Sequence, residues 1–168
     1  YRCTFLCSLG AGQLIEAALP SSQAGDHRYR AGVKWPNDVL VDGKKIAGIL
    51  TELRGEPGRI DYLCIGIGIN VANPLPEALS GQAVNLKELT EDLKITMPGR
   101  AELLRRFIRI FDELFPTALS RELLEMWRER SDTLGRQITV DTGSKKIEGT
   151  ARDVDESGGL IIETESGT

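Results

Sequence analysis

Residues 31–51 read AGVKWPNDVLVDGKKIAGILT and residues 59–71 read RIDYLCIGIGINV. Turn-forming residues cut the apolar runs in these two stretches at short intervals. Gly32–Trp35 is a short strand broken by Pro36 and the turn formers Asn37 and Asp38. Val39–Val41 and Lys45–Thr51 are strands on either side of Asp42-Gly43, a pair that favours the positive φ values of a two-residue hairpin. Gly55–Gly58 makes the next turn, and the apolar, β-branched run Ile60–Ile69 predicts a buried central strand. Successive strands joined by tight turns make a sheet. Asn73–Gly81 then holds two prolines and reads as a loop.

Outward from this sheet the period becomes helical. Phe5–Leu19 carries an apolar stripe through Phe5, Leu9, Ile15 and Leu19, with Gly10 and Gly12 against it and Pro20 as its stop. Ser21–Arg30 is a polar loop. Pro98–Phe115 is the clearest helix: Leu103, Leu104, Phe107, Ile108, Phe111, Leu114 and Phe115 recur every three or four residues. Ser120 is the expected cap of a further helix that turns Leu123, Leu124 and Trp127 inward and closes at Gly135. The period then falls to two. Gln137–Val140, Lys145–Val154 and Gly159–Thr164 predict three short strands. An α+β unit over residues 1–133 and a small all-β unit over residues 134–168 follow from that change.

The chain has 168 residues, 40% apolar and 27% charged, which is enough to bury a core without disulfides or metals. Its net charge of −4 argues against a general nucleic-acid binder. No apolar run is long enough to cross a bilayer, so no membrane partner is expected, and no signal-peptide pattern is visible. The chain opens on Tyr1 and stops at Ser166-Gly167-Thr168 within a hairpin pattern, so a fragment short at both ends is expected. Cys3, Cys7 and Cys64 form no CxxC pair and read as small buried apolar residues in a reducing, cytoplasmic setting. His27 is the only histidine and lies in the polar loop, which argues against a histidine-dependent hydrolase.

Three segments carry chemistry. Lys34 ends a strand, directly before a turn made rigid by Pro36, and is a positioned point charge suited to a phosphate or carboxylate oxygen. A surface lysine beside a Pro-Asn-Asp turn explains the same pattern. Gly48 interrupts a good strand, which marks either a bulge or the close approach of a ligand. Gly66 and Gly68 alternate along the next strand and leave one sheet face bare, either for a flat ligand or for a packed helix. Asn70 follows with a donor and an acceptor. The spacing is not the dinucleotide-binding GxGxxG.

Taken together and in this order, Lys34-Trp35-Pro36-Asn37-Asp38, Ile46-Ala47-Gly48-Ile49-Leu50 and Gly66-Ile67-Gly68-Ile69-Asn70-Val71 resemble the catalytic domain of the biotin–protein ligases. The resemblance extends over nearly the whole chain. It implies a mixed sheet with helices packed on one face, followed by part of a small SH3-like β-barrel. It implies formation of biotinyl-5′-adenylate from biotin and ATP, with Mg²⁺ arriving on ATP, and transfer of biotin to a lysine of a biotin carboxyl carrier protein. By the same resemblance Lys34 is the catalytic cation where the biotin carboxylate meets the α-phosphate. Ala47, Gly48 and Ile49 face the ureido ring through their backbone, Gly66 and Gly68 make room for the rings and tail, and Asn70 reaches the adenylate. Asn37 and Asp38 hold the Lys34 turn, and Trp35 is core or pocket wall. No metal ligands are assigned, and a homodimer is compatible with the resemblance. The family's glycine- and arginine-rich adenylate loop lies upstream and has no match here. A biotin-binding fragment without activation, and a relative that attaches lipoate or octanoate, are the alternative readings.

Overall fold

A computed structural model describes residues 1–19, 29–56, 58–143 and 145–164. Helix α1 (Arg2–Ala18) precedes four strands: β1 (Ala31–Lys34), β2 (Asp38–Val41), β3 (Lys44–Glu56) and β4 (Arg59–Ile69). Three helices follow, α2 (Leu86–Leu93), α3 (Arg100–Leu114) and α4 (Arg121–Glu129). A second sheet of β5 (Gln137–Asp141), β6 (Lys146–Val154) and β7 (Leu160–Glu163) comes last. The first sheet runs β1-β2-β3-β4 and the second β5-β6-β7, each antiparallel throughout. Among the described residues parallel pairing is confined to two single bridges, Val33 to Ser131 and Lys45 to Ala83. Asp42 and Gly43 both have positive φ, 50° and 74°, as the β2–β3 hairpin requires.

The core lies between α1 and one face of the first sheet. Phe5, Leu9, Leu14 and Ile15 of α1 are buried against Val33, Val39, Ile46 and Ile49. The ring of Trp127 stacks on Phe5, centroids 4.4 Å apart, and fastens α4 to the same core. A Cβ on Gly10 would stand 3.3 Å from the Phe107 ring and 3.6 Å from Leu114, so this helical glycine lets α3 approach closely. The glycine that weakens α1 as an isolated helix is thus what docks α3.

Several expectations need correction. Ile60–Ile69 is not a central strand: β4 is at the sheet edge, with Ile60 65% and Tyr62 56% exposed. Its apolar alternation serves one face only, where Ile65, Ile67 and Ile69 pack on the core. In α3, Leu104 and Ile108 are exposed, as is Phe115 just past its end, because α1 covers a narrower stripe than the sequence offers. Ser120 occupies the N-cap of α4 but does not cap it with its side chain; its hydroxyl donates to the Thr117 carbonyl. Cys7 is buried and burial pushes its thiol up to about 11, whereas Cys64 is exposed on β4. His27 lies outside the described residues. Helix α2 is too short to show a periodic run, but Asn85-x-x-Glu88 carries its signal: Asn85 accepts from the Glu88 amide, and Asn85 Nδ2 donates to Glu88 Oε1.

Candidate functional site

The face of the first sheet opposite α1 is open. Period-two alternation places Lys34, Asp38, Gly48 and Gly68 in successive cross-strand pairs on this face: Lys34 opposite Asp38, Asp38 opposite Gly48, Gly48 opposite Gly68. Gly66 opposite Leu50 continues it. A Cβ on Gly68 would meet nothing nearer than the Gly48 carbonyl at 3.8 Å, and one on Gly66 nothing nearer than Leu50 at 3.8 Å. These two glycines therefore leave a bare floor, and among the described residues no helix fills it. Of the two uses of alternate glycines, room for a packed helix is not the one this fold makes.

One side chain does lie on the floor. The bulge in β3 puts Ile46 out of the pairing with β2 and turns Lys45 back toward Asp38. Lys45 Nζ is 2.5 Å from Asp38 Oδ1. The carboxylate atom is closed to solvent and makes no aligned hydrogen bond, so charge alone holds the contact. A Cβ on Gly48 would stand 3.2 Å from Lys45 Cε and Nζ and 3.5 Å from Asp38 Oδ1. Gly48 thus gives the lysine its path to the aspartate. Sequence reading passed over Lys45, because a lysine after an Asp-Gly turn looks like an exposed hairpin residue. The signal lay in its spacing of three from Gly48, legible only once the bulge is known.

The other candidates divide. Lys34 is exposed at the end of β1, on the same face. Asn37 is occupied in structure: its Nδ2 donates to the Ile49 carbonyl at 2.8 Å and its carbonyl accepts from the Ile49 amide at 2.9 Å. Ile49 and Ala47 point their side chains into the core, leaving only backbone to the open face. Trp35 faces the second sheet: its indole Nε1 donates to the Gly158 carbonyl at 3.0 Å, and Tyr1 lies against its ring. Asn70 Nδ2 points to the carbonyls of Lys45 (3.5 Å) and Val84 (3.3 Å), and its Oδ1 accepts from Asn73. It clasps the end of β4 to the segment that leads into α2. The structure therefore brings Lys34, Asp38, Gly48, Gly66 and Gly68 to one surface with Lys45, and leaves Trp35 apart. A separate apolar cleft of about 380 Å³, lined by Leu14, Ile67, Ile69, Leu103 and Phe107 among others, opens on the helix side of β4.

Such a surface can hold a flat, mostly apolar molecule on glycine and place ammonium groups at its anionic end. Among the described residues no three carboxylate, histidine or cysteine side chains converge on a point that could hold a metal ion. No helix among the described residues is long and apolar enough to cross a membrane.

Comparison with known proteins gives a consistent picture. Residues 3–70 match the model of the "Biotin/lipoate A/B protein ligase family", and residues 133–168 match "Biotin protein ligase C terminal domain". The chain is 31% identical over 170 residues to the "Bifunctional ligase/repressor BirA" of Bacillus spizizenii, covering 98% of this chain and 49% of that protein. It is 33% identical over 135 residues to the "Biotin--[acetyl-CoA-carboxylase] ligase" of Mycobacterium tuberculosis, covering 79% of this chain and 47% of the relative. The chain thus spans about half the length of these relatives. Among solved structures, the biotin protein ligase of Aquifex aeolicus in complex with biotin and ATP superposes with a TM-score of 0.78 at 27% identity, over 99% of this chain and 66% of that one.

Proposed function

We propose that this chain, which belongs to the biotin protein ligase family, is the part of an ATP-dependent biotin–protein ligase that carries the floor of the biotin site. The observation that carries this reading is the open sheet face, where Gly66 and Gly68 are bare and Lys45 is held by Asp38 at their edge. Biotin has a flat fused ring and one carboxylate. The ring rests on the glycines and the carboxylate lies toward the ammonium groups.

In the first step a carboxylate oxygen of biotin attacks the α-phosphorus of ATP. The bond from that phosphorus to the bridging oxygen breaks, and pyrophosphate leaves with the electron pair. Negative charge grows on the α-phosphoryl oxygens. Lys45 and Lys34, on the same face, offset it, and such a fixed charge helps most in the transition state. Asp38 and Gly48 fix where Lys45 stands. In the second step the amine of a carrier-protein lysine attacks the acyl carbon, AMP departs, and the amine loses a proton. Lysine ammonium groups then stabilise the oxygen of the tetrahedral intermediate. Magnesium would arrive as part of the ATP substrate. The carrier is a biotin carboxyl carrier protein, the cytoplasm is the proposed compartment, and a homodimer is the proposed assembly.

The test is pyrophosphate release with biotin and ATP, followed by transfer of biotin to a carrier domain. Lipoate and octanoate run in parallel. Biotin-dependent release and carrier labelling support the reading; release with lipoate in place of biotin overturns the substrate assignment, and biotin binding without release reduces the chain to a binding unit.

A further inference from the structure

The turn between β1 and β2 is anchored from outside its own sheet. The Trp35 amide donates to Thr133 Oγ1 at 2.8 Å, and its indole donates to the Gly158 carbonyl at 3.0 Å. Thr133 is 6% exposed. Gly158 belongs to the β6–β7 turn, at a φ of 89° that excludes a Cβ on conformation, and a Cβ there would stand 2.3 Å from Tyr1. Tyr1 in turn lies on Trp35, ring centroids 5.8 Å apart. The β6–β7 turn is itself shaped by Asp155, whose Oδ1 accepts from the Ser157 amide and hydroxyl and from the Gly159 amide. On the other side of Trp35, Asn37 is bonded to Ile49, and Asp38 holds Lys45 over Gly48.

We infer that Trp35 is a positioning residue, through which the β6–β7 turn of the C-terminal sheet sets the placement of Lys34, Asp38 and Lys45 on the open face of the first sheet. The chain of contacts is continuous: Asp155 fixes the turn, the turn presents the Gly158 carbonyl, the carbonyl holds the indole, and the indole holds the segment that carries Asn37 and Asp38. The second sheet then bears on adenylation through the placement of these groups. This inference rests on the proposed function for its kinetic readout only; its structural readout stands apart from activity.

Asp155 lies outside the open face, so Asp155→Ala perturbs the relay at its far end, and Trp35→Phe removes the indole donor at the near end. Each variant acts through the same neutral bond, from the indole to the Gly158 carbonyl, and its loss should lower kcat for pyrophosphate release by about three- to tenfold. The Kd for biotin, which the glycine floor dominates, should change less than about twofold, within the additive scatter expected of uncoupled sites. The double variant should lose no more than either single, because both cut one relay. Asp155→Asn, which keeps an acceptor oxygen, should restore most of kcat. Independently of activity, amide hydrogen exchange over residues 33–38 should accelerate in Asp155→Ala and not in Asp155→Asn. Unchanged exchange in Asp155→Ala overturns the positioning role, as do additive losses in the double variant. If Asp155→Ala unfolds, the exchange and kinetic comparison is made on Trp35→Phe alone, and unchanged values there overturn it. A wild-type protein that neither binds biotin nor releases pyrophosphate refutes the proposed function and leaves the exchange result to decide the relay.

Discussion

Replacing Lys45 by Met keeps the length of the side chain and removes its charge. The Lys45 and Asp38 side chains are 47% and 22% exposed, so their mutual attraction is partly screened and worth at most about 1 kcal/mol. The larger effect is on Asp38. Its Oδ1 is closed to water and has Lys45 at 2.5 Å, so the substitution strands a buried carboxylate oxygen. Leaving such an atom unsatisfied costs about 1–3 kcal/mol. For a chain of this size, each kcal/mol moves the melting temperature by about 2–4 °C, giving a fall of roughly 2–12 °C. Adding Asp38→Asn removes the stranded charge and should recover most of that fall. It should not recover activity, because the ammonium on the floor is still missing. Loss of one preorganised donor to a developing oxyanion costs roughly 10²–10³ in kcat. Thermal unfolding followed by circular dichroism gives the first quantity, and pyrophosphate release at saturating biotin and ATP gives the second. If Lys45→Met keeps more than about a tenth of wild-type kcat, well above the loss expected for such a donor, the floor cation is not part of the chemistry. A stable Lys45→Met with Asp38 undisturbed would refute the account of the pair.

Lys34→Ala should fold normally, since Lys34 is exposed, and should lose kcat by roughly 10²–10³ if Lys34 acts on the phosphoryl oxygens; pyrophosphate release set beside that of Lys45→Met assigns the two ammonium groups their shares. Gly68→Val should fold, because a side chain there meets nothing nearer than 3.8 Å, yet abolish biotin binding in calorimetry; normal affinity would move the ligand off this face. Burial raises the Asp153 carboxyl, but hydrogen bonds from Arg128 and the Val154 amide, with the Arg128 charge, outweigh it and hold the group below the usual aspartate range. A carboxyl depressed in the folded state stabilises above its unfolded value and loses that contribution as pH falls through the folded one. Melting temperature should therefore drop below about pH 4, and Asp153→Asn should flatten that drop; an unchanged acid limb would show that the Arg128 pair does not fasten the second sheet.

The local chemistry of the chain was legible residue by residue. Asp42-Gly43 can adopt positive φ at both positions, and it makes the hairpin. The period-two and period-3.6 runs gave α1, α3, α4 and the strands of both sheets, because side-chain direction alternates in a strand and recurs each turn in a helix. The three motifs that resemble the ligase family belong to the same level, since Lys34, Gly48, Gly66 and Gly68 are fixed in order by sequence alone.

What sequence could not supply was which side of each element meets which neighbour. Ile60–Ile69 is as apolar as a central strand, but only pairing order makes β4 an edge. The stripe of α3 is wider than the surface α1 offers it, so Leu104 and Ile108 stay exposed. Lys45 became a site residue through the bulge that excludes Ile46 from pairing and the room that Gly48 leaves, two features 8 and 10 residues from the Asp38 they serve. Trp35 became an anchor for the C-terminal sheet through a carbonyl 123 residues away. Alternation and turn chemistry act between neighbours in the chain and are written there. The Asp38–Lys45 pair and the Trp35–Gly158 bond depend on distances that exist only after the sheets have closed on α1, and tertiary structure alone decides them.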